Sequence, residues 1–237
     1  MNFGVVVFPG TWSDCDFHYV IGEVVRQPVR YVWHRETDLA GFDCLILPGG
    51  FSYGDYLRAG AIAGRSPVVD ALPDFVSAGG LVLGSCNGFQ ILCEVGLLPG
   101  ALMRNECVQY RCQSTHLLLE NSETPFTRAM RPGQVLKMPI SHGEGRYYAD
   151  APTLRRLMDS GQIVFRYCTE DGRVAKEANP NGSLENIAGV VNDAGTVLGL
   201  MPHPERAAEA ALGGCDGILI FNSLLGSLVE DGSFSKR

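Results

Sequence analysis

The chain has 237 residues, of which 46% are hydrophobic and 19% charged, a balance that predicts a soluble globular protein. Its net charge of −7 and pI near 5.2 speak against nucleic acid or an anionic membrane surface as its partner. The length suits one large α/β domain over residues 1–237, able to bury a core without disulfides or metals.

In chain order, the first ten residues carry no basic segment ahead of their apolar run. They predict an opening strand over 3–8 rather than a signal peptide. No apolar stretch approaches the length of a membrane span, and the cytoplasm is the expected location. Ser13 or Asp14 can cap a helix running to about residue 25. Strands are expected at 29–33 and 44–47, the second ending on Pro48-Gly49-Gly50. A helix over 67–78 stops at Gly79-Gly80, a fourth strand covers 81–84, and a helix over 87–95 stops at Gly96. Short, wholly apolar strands separated by helices predict a parallel sheet covered on both faces. Right-handed crossovers make it an open doubly wound sheet with its sites at the carboxyl ends of the strands.

Residues 108–120 and 134–149 are longer, more polar and more alternating, and are expected to append antiparallel strands. A helix over 152–160 and strands over 163–168, 187–192 and 197–200 follow, with a turn at Asp193-Ala194-Gly195 and a closing helix over 216–229. Residues 177–185, with Asn179-Pro180-Asn181-Gly182, read as a loop.

The eight cysteines show no paired C-x-x-C spacing, so free, mostly inert thiols are expected. Cys86 stands apart. The run Leu81-Val82-Leu83-Gly84-Ser85-Cys86-Asn87-Gly88 takes a buried strand through Gly-x-Cys-x-Gly directly into a helix. This is a nucleophile elbow with cysteine in place of serine. The glycines permit a sharp turn and close packing, and the turn sets the sulfur over a helix N-terminus, a setting that suits a nucleophilic thiolate. Cys93, on the same helix without the elbow, is expected in the core.

A thiol nucleophile works with a base and a group that orients the base. Of the five histidines, His18, His34 and His116 read as surface or satisfied core residues. Two others stand two residues from a carboxylate, in His142-Gly143-Glu144 and His203-Pro204-Glu205. The second pair is preferred. It follows an apolar strand, and Pro202 and Pro204 fix its backbone. Glu205 can then hold the imidazole tautomer. His142 and Glu144, between glycines, read as a mobile turn that lines the site or meets a partner. No second histidine or cysteine stands at ligand spacing nearby, so a metal site is not expected. One N–H of Gly49 or Gly50, with that of Asn87, can form an oxyanion hole.

Pro48-Gly49-Gly50, Gly84-Ser85-Cys86-Asn87-Gly88 and His203-Pro204-Glu205 resemble the class I (triad) glutamine amidotransferases, and the resemblance spans the chain. Phe51-Ser52-Tyr53-Gly54-Asp55-Tyr56-Leu57-Arg58-Ala59-Gly60, Gly96-Leu97-Leu98-Pro99-Gly100 and Ser141-His142-Gly143-Glu144-Gly145-Arg146 resemble the branch of that family that feeds purine synthesis. The resemblance implies a flavodoxin-like fold, with Cys86 as nucleophile, His203 as acid/base and Glu205 as orienter. It also implies that Gly49, Gly50 and Gln90 belong to a glutamine pocket. The implied activity is hydrolysis of glutamine, with ammonia delivered for amidation of formylglycinamide ribonucleotide. The implied partners are a large synthetase subunit, which would hold ATP and Mg²⁺, and a small accessory subunit. The sequence agrees with this division: it has neither Gly-x-x-x-x-Gly-Lys-Ser/Thr nor Gly-x-Gly-x-x-Gly, and no cofactor is expected in the chain itself. Residues 104–139 and 177–185 carry no legible motif.

Overall fold

A computed structural model describes residues 1–230. The opening strand β1 (Phe3–Val7) leads into helix α1 (Asp14–Tyr19), which continues as a π-helical turn over Val20–Val24. Strands β2 (Val29–Trp33) and β3 (Cys44–Leu47) follow. The expected helix over 67–78 is two short ones, α2 (Pro67–Asp70) and α3 (Leu72–Ser77). The break has a simple cause: Pro73 lacks an N–H for the carbonyl of Val69, and its ring would press on that carbonyl in a continuous helix.

Strand β4 (Leu81–Ser85) and helix α4 (Asn87–Glu94) form the elbow. A short strand, β5 (Ala101–Met103), precedes the long β6 (Arg111–Leu119) and β7 (Val135–His142). The expected strand over 134–149 is thus interrupted: β7 ends at His142, and β8 (Arg146–Tyr148) turns away to pair with β5 in a separate two-stranded sheet. Helix α5 (Ala151–Asp159) is capped by Asp150, which accepts the N–H of Thr153 at 2.9 Å. Strands β9 (Ile163–Cys168), β10 (Ile187–Val191) and β11 (Val197–Leu200) precede the closing helix α6 (Ile218–Glu230).

The main sheet has nine strands in the order β2-β1-β3-β4-β11-β10-β9-β6-β7. From β2 to β11 every pairing is parallel, and from β11 to β7 every pairing is antiparallel. Alternation along the strands sends side chains to opposite faces. Val5, Ile46 and Leu83 meet Phe17 of α1 and Phe221 of α6 on one face. Val6, Leu45 and Val82 meet Phe75 of α3 and Phe89 of α4 on the other. With both faces covered, β3 is buried along its whole length, as its unbroken apolar sequence demands. The parallel strands β4 and β11 lie side by side. Their carboxyl ends therefore meet, although the residues just beyond them are far apart in the chain.

Candidate active site

The elbow is built as its sequence requires. Cys86 joins β4 to α4 with φ 50° and ψ −103°, a strained conformation for a residue with a Cβ and one that recurs at functional sites. Close packing holds it there. A Cβ on Gly88 would lie 1.9 Å from the Leu47 carbonyl oxygen, and one on Gly84 2.5 Å from Leu92. The Cys86 N–H donates to the Leu200 carbonyl at 2.8 Å, and Ser85 Oγ donates to the Pro202 carbonyl at 3.2 Å. These two bonds tie the elbow to the segment that carries His203.

His203 and Glu205 follow β11, both buried. His203 N–H donates to the Pro139 carbonyl at 2.9 Å, and its Nδ1 lies 2.6 Å from Glu205 Oε1. Nε2 is buried with no hydrogen bond among the described residues. Burial pushes the His203 pKa down, but the Glu205 carboxylate and the Cys86 sulfur outweigh it, so the net shift is upward. Cys86 is thus close enough to sense the imidazole. Its Sγ also donates to the Ser141 carbonyl at 3.6 Å. Catalytic hydrogen bonds commonly tighten only when substrate is bound.

Ser13 does not cap α1 through its side chain. Its Oγ accepts the Gly49 N–H at 2.9 Å instead. That bond occupies the Gly49 donor and leaves the Gly50 N–H without a partner among the described residues. Gly50 and Cys86 line the same cavity, of about 180 Å³. The N–H groups free to take part in an oxyanion hole are therefore those of Gly50 and of Asn87, the first of helix α4. Gly49 serves differently: it lies against the His203 ring, where a Cβ would come within 2.6 Å of Cε1.

Gln90 also reaches the cavity, but its carboxamide is already engaged. Oε1 accepts from Asn87 Nδ2 at 2.9 Å, and Nε2 donates to the Glu144 carbonyl at 2.6 Å. His142 is not on a loose turn. It is buried, its Nδ1 sits 3.1 Å from Asn105 Oδ1, and its Nε2 sits 3.5 Å from Asn181 Nδ2. Asn105 also donates to the His142 carbonyl at 2.9 Å and accepts the Gly145 N–H at 3.0 Å. Burial, and secondarily the nearby charge of His203, lower the His142 pKa to about 4, so it is neutral at physiological pH. It braces the turn that supplies the Glu144 carbonyl.

The structure thus gathers Gly50, Cys86, Gln90, His142 and Glu144 around one cavity, with Gly49 and His203 lining the adjoining one. Sequence reasoning missed Asn105, Asn181, the Ser141 carbonyl and the acidic Asp55. Asn181 stood in a segment read only as turn residues, and Asp55 in a motif to which no role was attached. The other histidines lie outside: His34 accepts or donates to the Tyr53 hydroxyl at 2.9 Å, and His18 stacks on Tyr31 at 4.4 Å. Burial pushes the thiol pKa of Cys93 upward. A larger concavity of about 620 Å³ lies at the amino ends of β3 and β4 and is lined by no cysteine or histidine.

A buried His–Glu pair beside a strained cysteine at the end of a doubly wound sheet is the arrangement expected of a thiol amidohydrolase of the triad type. The chain belongs to the CobB/CobQ-like glutamine amidotransferase family, whose model matches residues 3–213. Within it, the chain is 61% identical to the phosphoribosylformylglycinamidine synthase subunit PurQ of Moorella thermoacetica, over 97% of this chain and 96% of that one. It is 57% identical to the protein of the same name from Salinibacter ruber, over 94% and 95%. The structure of PurLQS from Thermotoga maritima matches with TM-score 0.84 and 42% identity, covering 96% of this chain and 98% of that chain.

Proposed function

We propose that this chain, acting as a single glutaminase domain, is the glutamine-hydrolysing subunit of a phosphoribosylformylglycinamidine synthase. Ammonia released here passes to a synthetase subunit, which uses ATP to amidate formylglycinamide ribonucleotide in purine biosynthesis. The observation that carries the reading is the Cys86 elbow set beside the buried His203–Glu205 pair, in a chain 61% identical to a PurQ subunit over nearly its whole length.

The geometry supports the following chemistry. Cys86 Sγ attacks the side-chain carboxamide carbon of glutamine as its proton passes to His203 Nε2. Gly50 N–H and Asn87 N–H hold the oxyanion of the tetrahedral intermediate. Its collapse breaks the C–N bond. His203 returns the proton to the departing nitrogen, giving ammonia and a γ-glutamyl thioester on Cys86. Water, deprotonated by His203, then attacks the thioester and releases glutamate and the thiol. Glu205 orients the ring throughout and stabilises the imidazolium.

The similarity to PurLQS supports a large synthetase partner and a small accessory subunit. ATP and Mg²⁺ are assigned to the synthetase, because this sequence has no phosphate-binding loop. No helix among the described residues is long and apolar enough to cross a membrane, and the eight cysteines are all free. Both support a cytoplasmic setting. A glutamine-mimicking electrophile tests the assignment of the nucleophile. Mass spectrometry should find one adduct, on Cys86, in step with loss of ammonia release. An adduct on Cys93 or Cys15 instead overturns it.

A further inference from the structure

Resting on that reading, we propose that Asp55 and Glu144 are the specificity-determining residues for the substrate's α-amino group. Their carboxylates clasp the α-ammonium of glutamine while the carboxamide lies against Cys86.

The argument starts from the shape of the cavity. Cys86 is only 5% exposed, so an amide can reach its sulfur only by filling the space in front of it. The walls of that space include Gly50, Phe51, Asp55, Gln90, Arg104 and Glu144. In an extended glutamine the α-nitrogen lies about 5 Å from the carboxamide carbon. The amino-acid head must therefore come to rest among these wall residues.

The charges on the walls match that head. Asp55 and Glu144 are close enough to repel each other, and neither forms an ion pair among the described residues. Two facing carboxylates in a concave site, with no cation of their own, are stabilised by a cationic ligand between them. Arg104 lines the same cavity and offers a guanidinium for the α-carboxylate.

Both acidic residues are held in place by the site's own framework. Asn87, beside the nucleophile, donates from Nδ2 to Asp55 Oδ1 at 3.4 Å and accepts the Ser52 N–H on Oδ1 at 3.2 Å. Asp55 itself has φ 53°, between Tyr53 at 54° and Leu57 at 70°. Three non-glycine residues in the left-handed region within five positions mark a loop held in an unfavourable shape. Glu144 is fixed through its carbonyl by Gln90. Burial first and the Glu144 charge second raise the Asp55 pKa to about 6, as expected of a carboxylate that lacks its cation.

The test compares L-glutamine with glutaramate, the same amide without the α-amino group. The full-length chain is assayed with its synthetase partner, as wild type, Asp55→Asn and Glu144→Gln. Each variant should lower kcat/KM for glutamine by roughly 10- to 100-fold, mainly through KM, the loss expected for a hydrogen bond to a charged group. Hydrolysis of glutaramate should stay within about twofold of wild type, as it lacks the group being recognised. Protection of Cys86 from alkylation gives a readout without turnover. L-Glutamate should protect the wild type better than glutarate does, and the variants should bring the two together. Equal losses on both amides, or no loss on glutamine, overturn the inference while leaving the glutaminase reading intact. A wild type that releases no ammonia from glutamine overturns that reading and this inference with it.

Discussion

Two histidines that share the local pattern His-x-Glu have their pKa values moved in opposite directions in this site. Both are buried, and burial lowers the pKa of each. His203 has a carboxylate oxygen at 2.6 Å, and that attraction wins. His142 has only the amide groups of Asn105 and Asn181 around its ring, and desolvation wins. The distinction was legible in the sequence only as position: His203 follows an apolar strand between prolines, and His142 sits between a strand and a glycine. The asparagines that settle it were not legible, because they come from loops distant in the chain. Glu205→Gln should remove the charge that raises the His203 pKa and lower glutamine turnover by roughly 10³- to 10⁴-fold. A histidine with a raised folded-state pKa stabilises the fold fully below its unfolded pKa, ordinarily about 6.5, and loses that contribution as pH rises through the folded value. The Tm difference between wild type and Glu205→Gln should therefore be largest in mild acid and shrink toward alkaline pH. Thermal melts across that range check it, and a difference that grows with pH contradicts the assigned shift.

At the scale of elements, the parallel half of the sheet was readable because each of its strands is a short apolar run ended by glycine, proline or a turn. The elbow was readable from its glycines: Gly84 packs against Leu92 and Gly88 of α4, within the strand–helix unit, although the Leu47 carbonyl of β3 that demands Gly88 comes from a neighbouring strand. The helix break before Pro73 was a local signal overlooked. The small sheet of β5 and β8 was not readable, since three-residue strands carry no period and owe their existence to pairing. Two glycines of the site predict contrasting failures. Gly88→Ala drives a Cβ into the Leu47 carbonyl. A backbone group cannot turn aside, so β3 and α4 must separate. The expected cost is about 3 kcal/mol or more, seen as a drop in the denaturant midpoint. Gly49→Ala meets the His203 ring at 2.6 Å and Ser13 Oγ at 3.2 Å. A side chain can move, so the fold should largely survive while turnover falls through a displaced base. If Gly49→Ala proves the more destabilising of the two and retains its turnover, the packing argument is wrong.

For the whole molecule, the sheet order does what chain order cannot. β4 and β11 are neighbours, so Cys86 and His203 meet from places 117 positions apart in the chain, the same separation as the Ser85–Pro202 bond that ties them. The antiparallel half then contributes β7 and the turn after it, which closes the cavity with Ser141, His142 and Glu144. One sheet end thus brings together a thiol, a buried histidine–glutamate pair and the N–H groups of Gly50 and Asn87, while the sequence offers no loop for the phosphates of ATP. On the proposed function, glutamine hydrolysis and ATP-driven amidation should be separable. Cys86→Ala removes one sulfur from the cavity wall and relaxes no close contact of Gly84 or Gly88, so the variant should fold and still join its synthetase. Given glutamine, ATP and the acceptor nucleotide, that complex should form no product, because the C–N bond of the carboxamide finds no nucleophile. Given ammonium salt at high concentration instead, it should form product at a rate near that of the wild-type complex on the same salt, since free ammonia enters downstream of Cys86. The two nitrogen sources, assayed side by side for product nucleotide, make the decision. Product from glutamine in the Cys86→Ala complex, or ATP-dependent amidation by the wild-type chain without its partner, would break the assignment of hydrolysis to this chain and amidation to another.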